Sequence, residues 1–159
     1  MVRNRTGLLL LMGSIAFCGA LFAEPAKTIT IKLYDGKSGR PVVPTGYQVR
    51  IDHNTEMHGD WVKQHDDGTA ELTIPADTAV VALHFAYDSS MEVYVNCDAD
   101  KNAFGDVWYS VPQIMSKGMV TSNLCGKSKA NEKYKTTAGP GELILFVRER
   151  NWKERAQDY

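Results

Sequence analysis

The sequence predicts an all-β chain, a single β-sandwich of about seven strands with one short helix at most. Three observations lead there. Segments that alternate apolar and polar residues recur along the chain, and turns rich in Gly, Pro and Asp separate them at short intervals. No long amphipathic helix interrupts that rhythm, which favours a sandwich over a parallel α/β sheet.

The leader comes first. Met1–Arg5 is a short basic head, Gly7–Phe22 is a nearly unbroken apolar run, and Ala23 precedes the polar Glu24-Pro25-Ala26-Lys27. That order predicts a secretory signal over residues 1–23, cut after Ala23, and one domain over 24–159. An uncleaved anchor is the weaker reading, because the apolar run falls short of the roughly 20 residues a spanning helix needs. A lipoprotein signal at Cys18 would follow a bulky Phe17 where a small residue is usual, and the apolar run continues past that cysteine. The expected location is secreted or periplasmic, with no membrane span after cleavage.

Thr28–Tyr34 then sets Ile29, Ile31 and Leu33 on one face and Thr28, Thr30 and Lys32 on the other, a half-buried strand. Asp35–Pro41 is a turn. Tyr47, Val49 and Ile51 resume the period of two, with Gln48, Arg50 and Asp52 facing water. A loop over Asn54–Gly59 leads into Asp60–His65, Asp67-Gly68 turns the chain, and Thr69–Ile74 alternates again before Pro75. Ala79–Ala86 and Leu143–Val147 are apolar on both faces, as expected of strands in the middle of the fold, and Met91–Val95 is a further strand. Val111–Lys117 fits one or two helical turns stopped by Gly118. The charged tail from Arg150 reads as helical or frayed. Lys127–Gly141 is a long polar loop before the last core strand.

Removal of the leader also removes Cys18, leaving Cys97 and Cys125 as an even pair in an oxidising compartment. Their predicted disulfide would stabilise the fold by roughly 3–4 kcal/mol in the chain-entropy model. The alternative, a redox-active thiol, has no Cys-x-x-Cys motif behind it. The full chain carries 18 Lys and Arg against 19 Asp and Glu. Loss of Arg3 and Arg5 leaves 16 against 19, a net charge of −3 with His neutral. That mild balance offers no basic stripe, so no nucleic-acid partner is expected.

Asp35–Val42 (DGKSGRPV), Tyr47-Gln48-Val49 and Asp67–Leu72 (DGTAEL) together resemble the opening of the carboxypeptidase regulatory-like family. Asp35, Ser38, Gly39, Pro41, Asp67 and Gly68 fall on that family's strand–turn–strand pattern. The resemblance spans roughly the first half of the mature chain. It implies a transthyretin-like (prealbumin-like) sandwich, related in architecture to the immunoglobulin-like one, and a noncatalytic accessory or binding module. The family's usual Pro-Gly-x-Tyr is replaced here by Pro75-Ala76-Asp77-Thr78. The transthyretin-like hydrolases end in Tyr-Arg-Gly-Ser, whereas this chain ends Ala156-Gln157-Asp158-Tyr159, so their activity is not expected.

Candidate chemistry concentrates between residues 53 and 67. His53, His58 and His65, with nearby carboxylates, would bind a divalent metal if they converged, because imidazole and carboxylate suit zinc and copper. His53 and His65 would face each other if strands paired around the Asn54–Gly59 loop. No His-Glu-x-x-His spacing is present, and a solvated loop with turn-forming acids is the plainer reading. Asp98, Asp100 and Asn102 open like a calcium loop, but Ala103 stands where glycine belongs and Tyr109 where Glu belongs. His84, on a two-sided strand, is expected as a satisfied core histidine. Trp61 and Trp108 are expected mainly as core, with sugar stacking the alternative for them and for Tyr109. Trp152 is either an anchor for the tail or a partner contact.

No nucleophile elbow, phosphate-binding glycine loop or dinucleotide fingerprint appears. The expectation is therefore an exported module, not an enzyme, that binds an unidentified protein or surface ligand or plays a structural part. A small metal-binding protein is the first alternative. A hydrolase with an unrecognised site is the second.

Overall fold

A computed structural model of the protein describes residues 25–87, 90–98, 107–125 and 136–156. The leader 1–23, most of the 98–106 segment and most of the Lys127–Gly141 loop lie outside them.

The described residues form nine strands and two short helices. In order these are β1 (Lys27–Asp35), β2 (Gly46–Ile51), β3 (Val62–Gln64), β4 (Thr69–Ile74), β5 (Val80–Tyr87) and β6 (Ser90–Asn96). Then follow β7 (Tyr109–Ser110), α1 (Val111–Lys117), β8 (Met119–Val120), β9 (Glu142–Glu149) and α2 (Trp152–Ala156). The strands make one mixed sheet in the order β2-β5-β6-β9-β1-β4-β3, with β7 beside β5 and β8 beside β9. The sheet curls until β2 and β3 nearly meet, so the sandwich is a barrel-like one made from a single sheet. Val49 and His58 exchange backbone hydrogen bonds of 3.1 and 2.8 Å across that seam.

The seven expected strands are β1–β6 and β9, and the expected helix is α1. The second helix, α2, takes the count past the single helix expected. Asn151 Oδ1 accepts from the amides of Lys153 and Glu154, while Glu154 Oε2 accepts from the Asn151 amide. That reciprocal capping box, with both Arg148 Nη atoms on the Glu154 carboxylate at 2.8 and 2.6 Å, supports a five-residue helix that buries no side chain.

The alternation in β1 seats Ile29, Ile31 and Leu33 inside, with Ile29 opposite Leu72 and Ile31 opposite Ala70 of β4. β9 runs parallel to β1 and is buried from Leu143 to Val147, as its two-sided apolarity requires. β5 buries Val81, Ala82, Phe85 and Ala86. α1 contributes Val111 and Ile114 to the same core. Its hydroxyl cap is Ser110, and Gly118 ends it at φ 76°.

The two Asp-Gly segments form the turns their chemistry suggests. Asp35 Oδ1 accepts from the Lys37 and Ser38 amides and the Ser38 hydroxyl, and Gly39 sits at φ 68°. Asp67 Oδ1 accepts from the amide and hydroxyl of Thr69, and Gly68 sits at φ 84°. The Thr69 bonds hold the Asp67 carboxyl below its ordinary range.

Cys97 and Cys125 are joined by a disulfide, with their Cα atoms 4.9 Å apart. The bridge packs directly on Gly36, the residue that follows β1. Gly36 donates its amide to Val147 O and accepts from Asn123 Nδ2, both at 2.8 Å.

Candidate functional site

Strand directions divide the loops between two ends. The β1–β2, β3–β4 and β5–β6 connections and α2 gather at one end, and the β2–β3 and β4–β5 connections with α1 at the other. The side chains singled out in the sequence are spread across both.

At the α1 end, β2 runs out into Asp52 and His53, two consecutive non-glycine residues in the left-handed region, at φ 48° and 60°. Asp tolerates that geometry when its short side chain bonds locally, and here it does. Asp52 Oδ1 accepts from the amides of Ala79 and Val80 at 2.8 and 3.1 Å, and the Asp52 amide donates to Val80 O at 3.0 Å. The turn closes with the Asn54 amide on Ile51 O. Its effect is to lay the His53 ring against Trp108, with centroids 4.3 Å apart. Arg50 reaches the same indole, its guanidinium carbon 5.8 Å from the ring centre, while its Nε donates to Asn54 O at 2.7 Å.

A second ring pair lies across the seam. The His58 imidazole stacks on Trp61 at 3.8 Å with an interplanar angle of 5°. The Val49–His58 bridge fixes the backbone of His58, and Trp61 rests partly against the core. Met57, between the two pairs in sequence, is 46% exposed.

The three histidines therefore do not converge. His53 rests on Trp108 and His58 on Trp61, whereas His65 lies in the β3–β4 turn with Nε2 3.4 Å from Glu71 Oε2. The condition under which His53 and His65 would face each other, a ladder between the strands flanking the Asn54–Gly59 loop, is not met, because β3 pairs with β4 and β2 with β5. About 13 Å of extended chain separates residue 61 from residue 65. Among the described residues, no three His, Cys, Asp or Glu side chains are grouped so as to hold a metal ion.

His84, expected in the core, is instead half-buried on β5 opposite Gln48. Tyr109 is buried, with its hydroxyl on Asn96 Nδ2. Trp61 and Trp108 are each half-buried. Of the residues that open the calcium-like segment only Asp98 is described, and Asp100, Asn102 and Ala103 lie outside.

At the opposite end, Trp152 is 73% exposed, with Lys153 Nζ 5.5 Å from its ring centre. It is not a buried anchor. Glu154 organises its helix, and the Arg148 guanidinium foremost, then the Asn151 amide, pull the Glu154 carboxyl down to about 2.

Asp52 and Arg50 build the α1-end corner and were not legible as site residues, because both fall on the polar side of an alternating strand. The Asn151-x-x-Glu154 cap was missed as well, although that spacing is itself a helix-start signal. No helix among the described residues is long and apolar enough to cross a membrane. Comparison with family models, curated proteins and solved structures finds no match to this chain.

Proposed function

We propose that this protein is an exported, noncatalytic β-sandwich module that recognises a protein or surface ligand through the corner built by Arg50, His53, His58, Trp61 and Trp108. The observation that carries the reading is the Asp52–His53 turn. Two successive left-handed non-glycine residues cost of order 1–3 kcal/mol each, and such strain concentrates where a chain must present a side chain in one place. Here it is held by three hydrogen bonds and places a histidine and an arginine on one indole at the surface. Aromatic and Arg side chains in fixed positions are the residue types that dominate binding hot spots. The carboxypeptidase regulatory-like resemblance of the first half of the chain supports the same reading, as does the leader.

The test is site-specific photo-crosslinking in the exported compartment. A crosslinker replacing Met57 should capture a partner, and capture should be lost on Asp52→Ala, which frees the turn. Capture that is equally strong from Val43, at the other end of the barrel, would overturn the corner as the recognition surface. Intact mass of the purified protein should show the chain beginning at Glu24.

A further inference from the structure

We propose that Cys125 is a site of thiol–disulfide exchange with a dithiol reductant, and that reduction releases the segment Met119–Cys125 from β9.

The argument starts from a gap in the sheet. β6 covers one side of β9 only at Val147–Glu149. The remainder of that side, from Leu143 to Phe146, is covered by β8 and the residues after it, which form a strap. Met119 and Val120 pair with Leu143 and Ile144, the Thr121 amide donates to Ile144 O at 2.9 Å, and the Phe146 amide donates to Thr121 Oγ1 at 3.0 Å. A two-residue strand and one side-chain hydroxyl thus satisfy backbone groups that would otherwise face water.

The strap has little apolar attachment of its own. Met119 packs against the core, but Thr121 and Asn123 are buried as polar residues, Ser122 is exposed and Leu124 is 60% exposed. Its far end is held by Asn123 Nδ2 on Gly36 O and by the disulfide. Segments with few buried apolar contacts open at low free-energy cost, so the covalent bond is the principal restraint.

The two cysteines are not equally exposed. Cys97 is 6% exposed, and its amide is tied to Phe146 O at 2.9 Å. Cys125 is partly exposed beside Leu124. Exchange requires a thiolate to reach one sulfur, and access selects Cys125. The reductant's thiolate forms a bond to Cys125 Sγ as the Cys97–Cys125 bond breaks, and the electron pair leaves on Cys97 Sγ, which takes up a proton. The reductant's second thiolate then displaces Cys125, which is protonated in turn. The protein gains two electrons and two protons, and the dithiol becomes a disulfide. With the strap released, Ile144 O and the Phe146 amide become an open strand edge, the kind of surface that pairs with an extended segment.

The experiment treats the mature protein under native conditions with glutathione, then quenches early with N-ethylmaleimide. Mass mapping should find glutathione on Cys125 at least tenfold more often than on Cys97, with the maleimide on Cys97. In parallel, dithiothreitol should raise amide exchange at Thr121 and Phe146 at least tenfold more than at Val49 and His58, whose amides bond across the seam and respond only to the lower global stability. The double variant Cys97→Ser/Cys125→Ser should show the same local pattern without reductant. A bridge that reduces only in denaturant, an adduct on Cys97, or exchange that rises by the same factor at all four amides would each overturn the proposal.

Discussion

Replacing Gly36 with Ala is the substitution that most directly probes the packing around the disulfide. A Cβ on Gly36 would lie 2.6 Å from both Cys125 Cβ and Cys97 Sγ, and 2.7 Å from Cys125 Sγ. Non-bonded carbon contacts are comfortable at about 3.5–4.0 Å, so three atoms of one covalent bridge must each move by roughly 1 Å. Gly36 cannot easily retreat, because its amide and carbonyl are engaged with Val147 and Asn123. Overpacking of this kind costs about 1–3 kcal/mol, and loosening one hydrogen bond adds about 1. The lower entropy of alanine in the unfolded chain returns about 0.5 kcal/mol. The expected net loss is about 1.5–3.5 kcal/mol, or roughly 0.8–1.8 M in a urea midpoint for an m-value near 2 kcal/mol/M. In a Cys97→Ala/Cys125→Ala background two of the three opposing atoms are gone and the third is free to shift. The same substitution should then cost less than about 1 kcal/mol. Urea unfolding of the four proteins forms a double-mutant cycle with an expected coupling of about 2 kcal/mol. An equal cost in both backgrounds, or no cost in the oxidised protein, would refute the reasoning.

Breaking the disulfide itself, with 28 residues of sequence separation, should lower stability by about 3.6 kcal/mol in the chain-entropy model, read from the same urea curves. Asp52→Ala removes the acceptor of two backbone amides and leaves a left-handed alanine, so a loss of about 1–2 kcal/mol and a change in Trp108 emission are expected. The Glu154 carboxyl is held at about 2 against an ordinary 4.5, so its contribution is complete above pH 4.5 and disappears as the pH falls toward 2. Amide exchange in α2 should therefore stay slow at pH 5 and lose its protection by pH 2, and Glu154→Gln should lose it at every pH. At the alkaline end, burial raises Tyr47 to about 12 and raises Tyr109 further. Both stay protonated in the folded state while the unfolded chain ionises near pH 10, so stability should fall as the pH rises from 10 to 12. Phenolate absorbance of these two residues should appear only with unfolding.

The strands were legible because each one's burial is written in its own residues. Ile29, Ile31 and Leu33 alternate with polar neighbours and are buried on one face, and Leu143–Val147 is apolar throughout and buried on both. Val111–Lys117 was read as a short helix stopped by Gly118, which does cap it. The cysteine pair followed from counting once the leader was set aside, and it is bonded. These are local or compositional properties, and a chain carries them wherever it is placed.

What surrounds a residue is a different matter, because it depends on which strands become neighbours. Three histidines within thirteen positions of sequence looked like one cluster. They separate because β3 pairs with β4, and the chain between β2 and β3 crosses back to β2 through the Val49–His58 bridge. Trp108 follows a long connection after β6, yet it joins His53 and Arg50 because β7 returns to the start of β5 beside them. Gly36 lies between Asp35 and Lys37 in a turn that any flexible residue would seem to suit. Only the folded chain brings Cys97 and Cys125 against it. The sequence by itself determined the strands β1–β6 and β9, their buried faces, the helix α1 and the cysteine pair, since each follows from neighbours one to four residues away or from composition, whereas the two-residue β7 and β8 carry no pattern of their own. Tertiary structure alone decided the sheet order, the closure of the seam and the aromatic corner, since those contacts join residues tens of positions apart whose proximity no local pattern encodes.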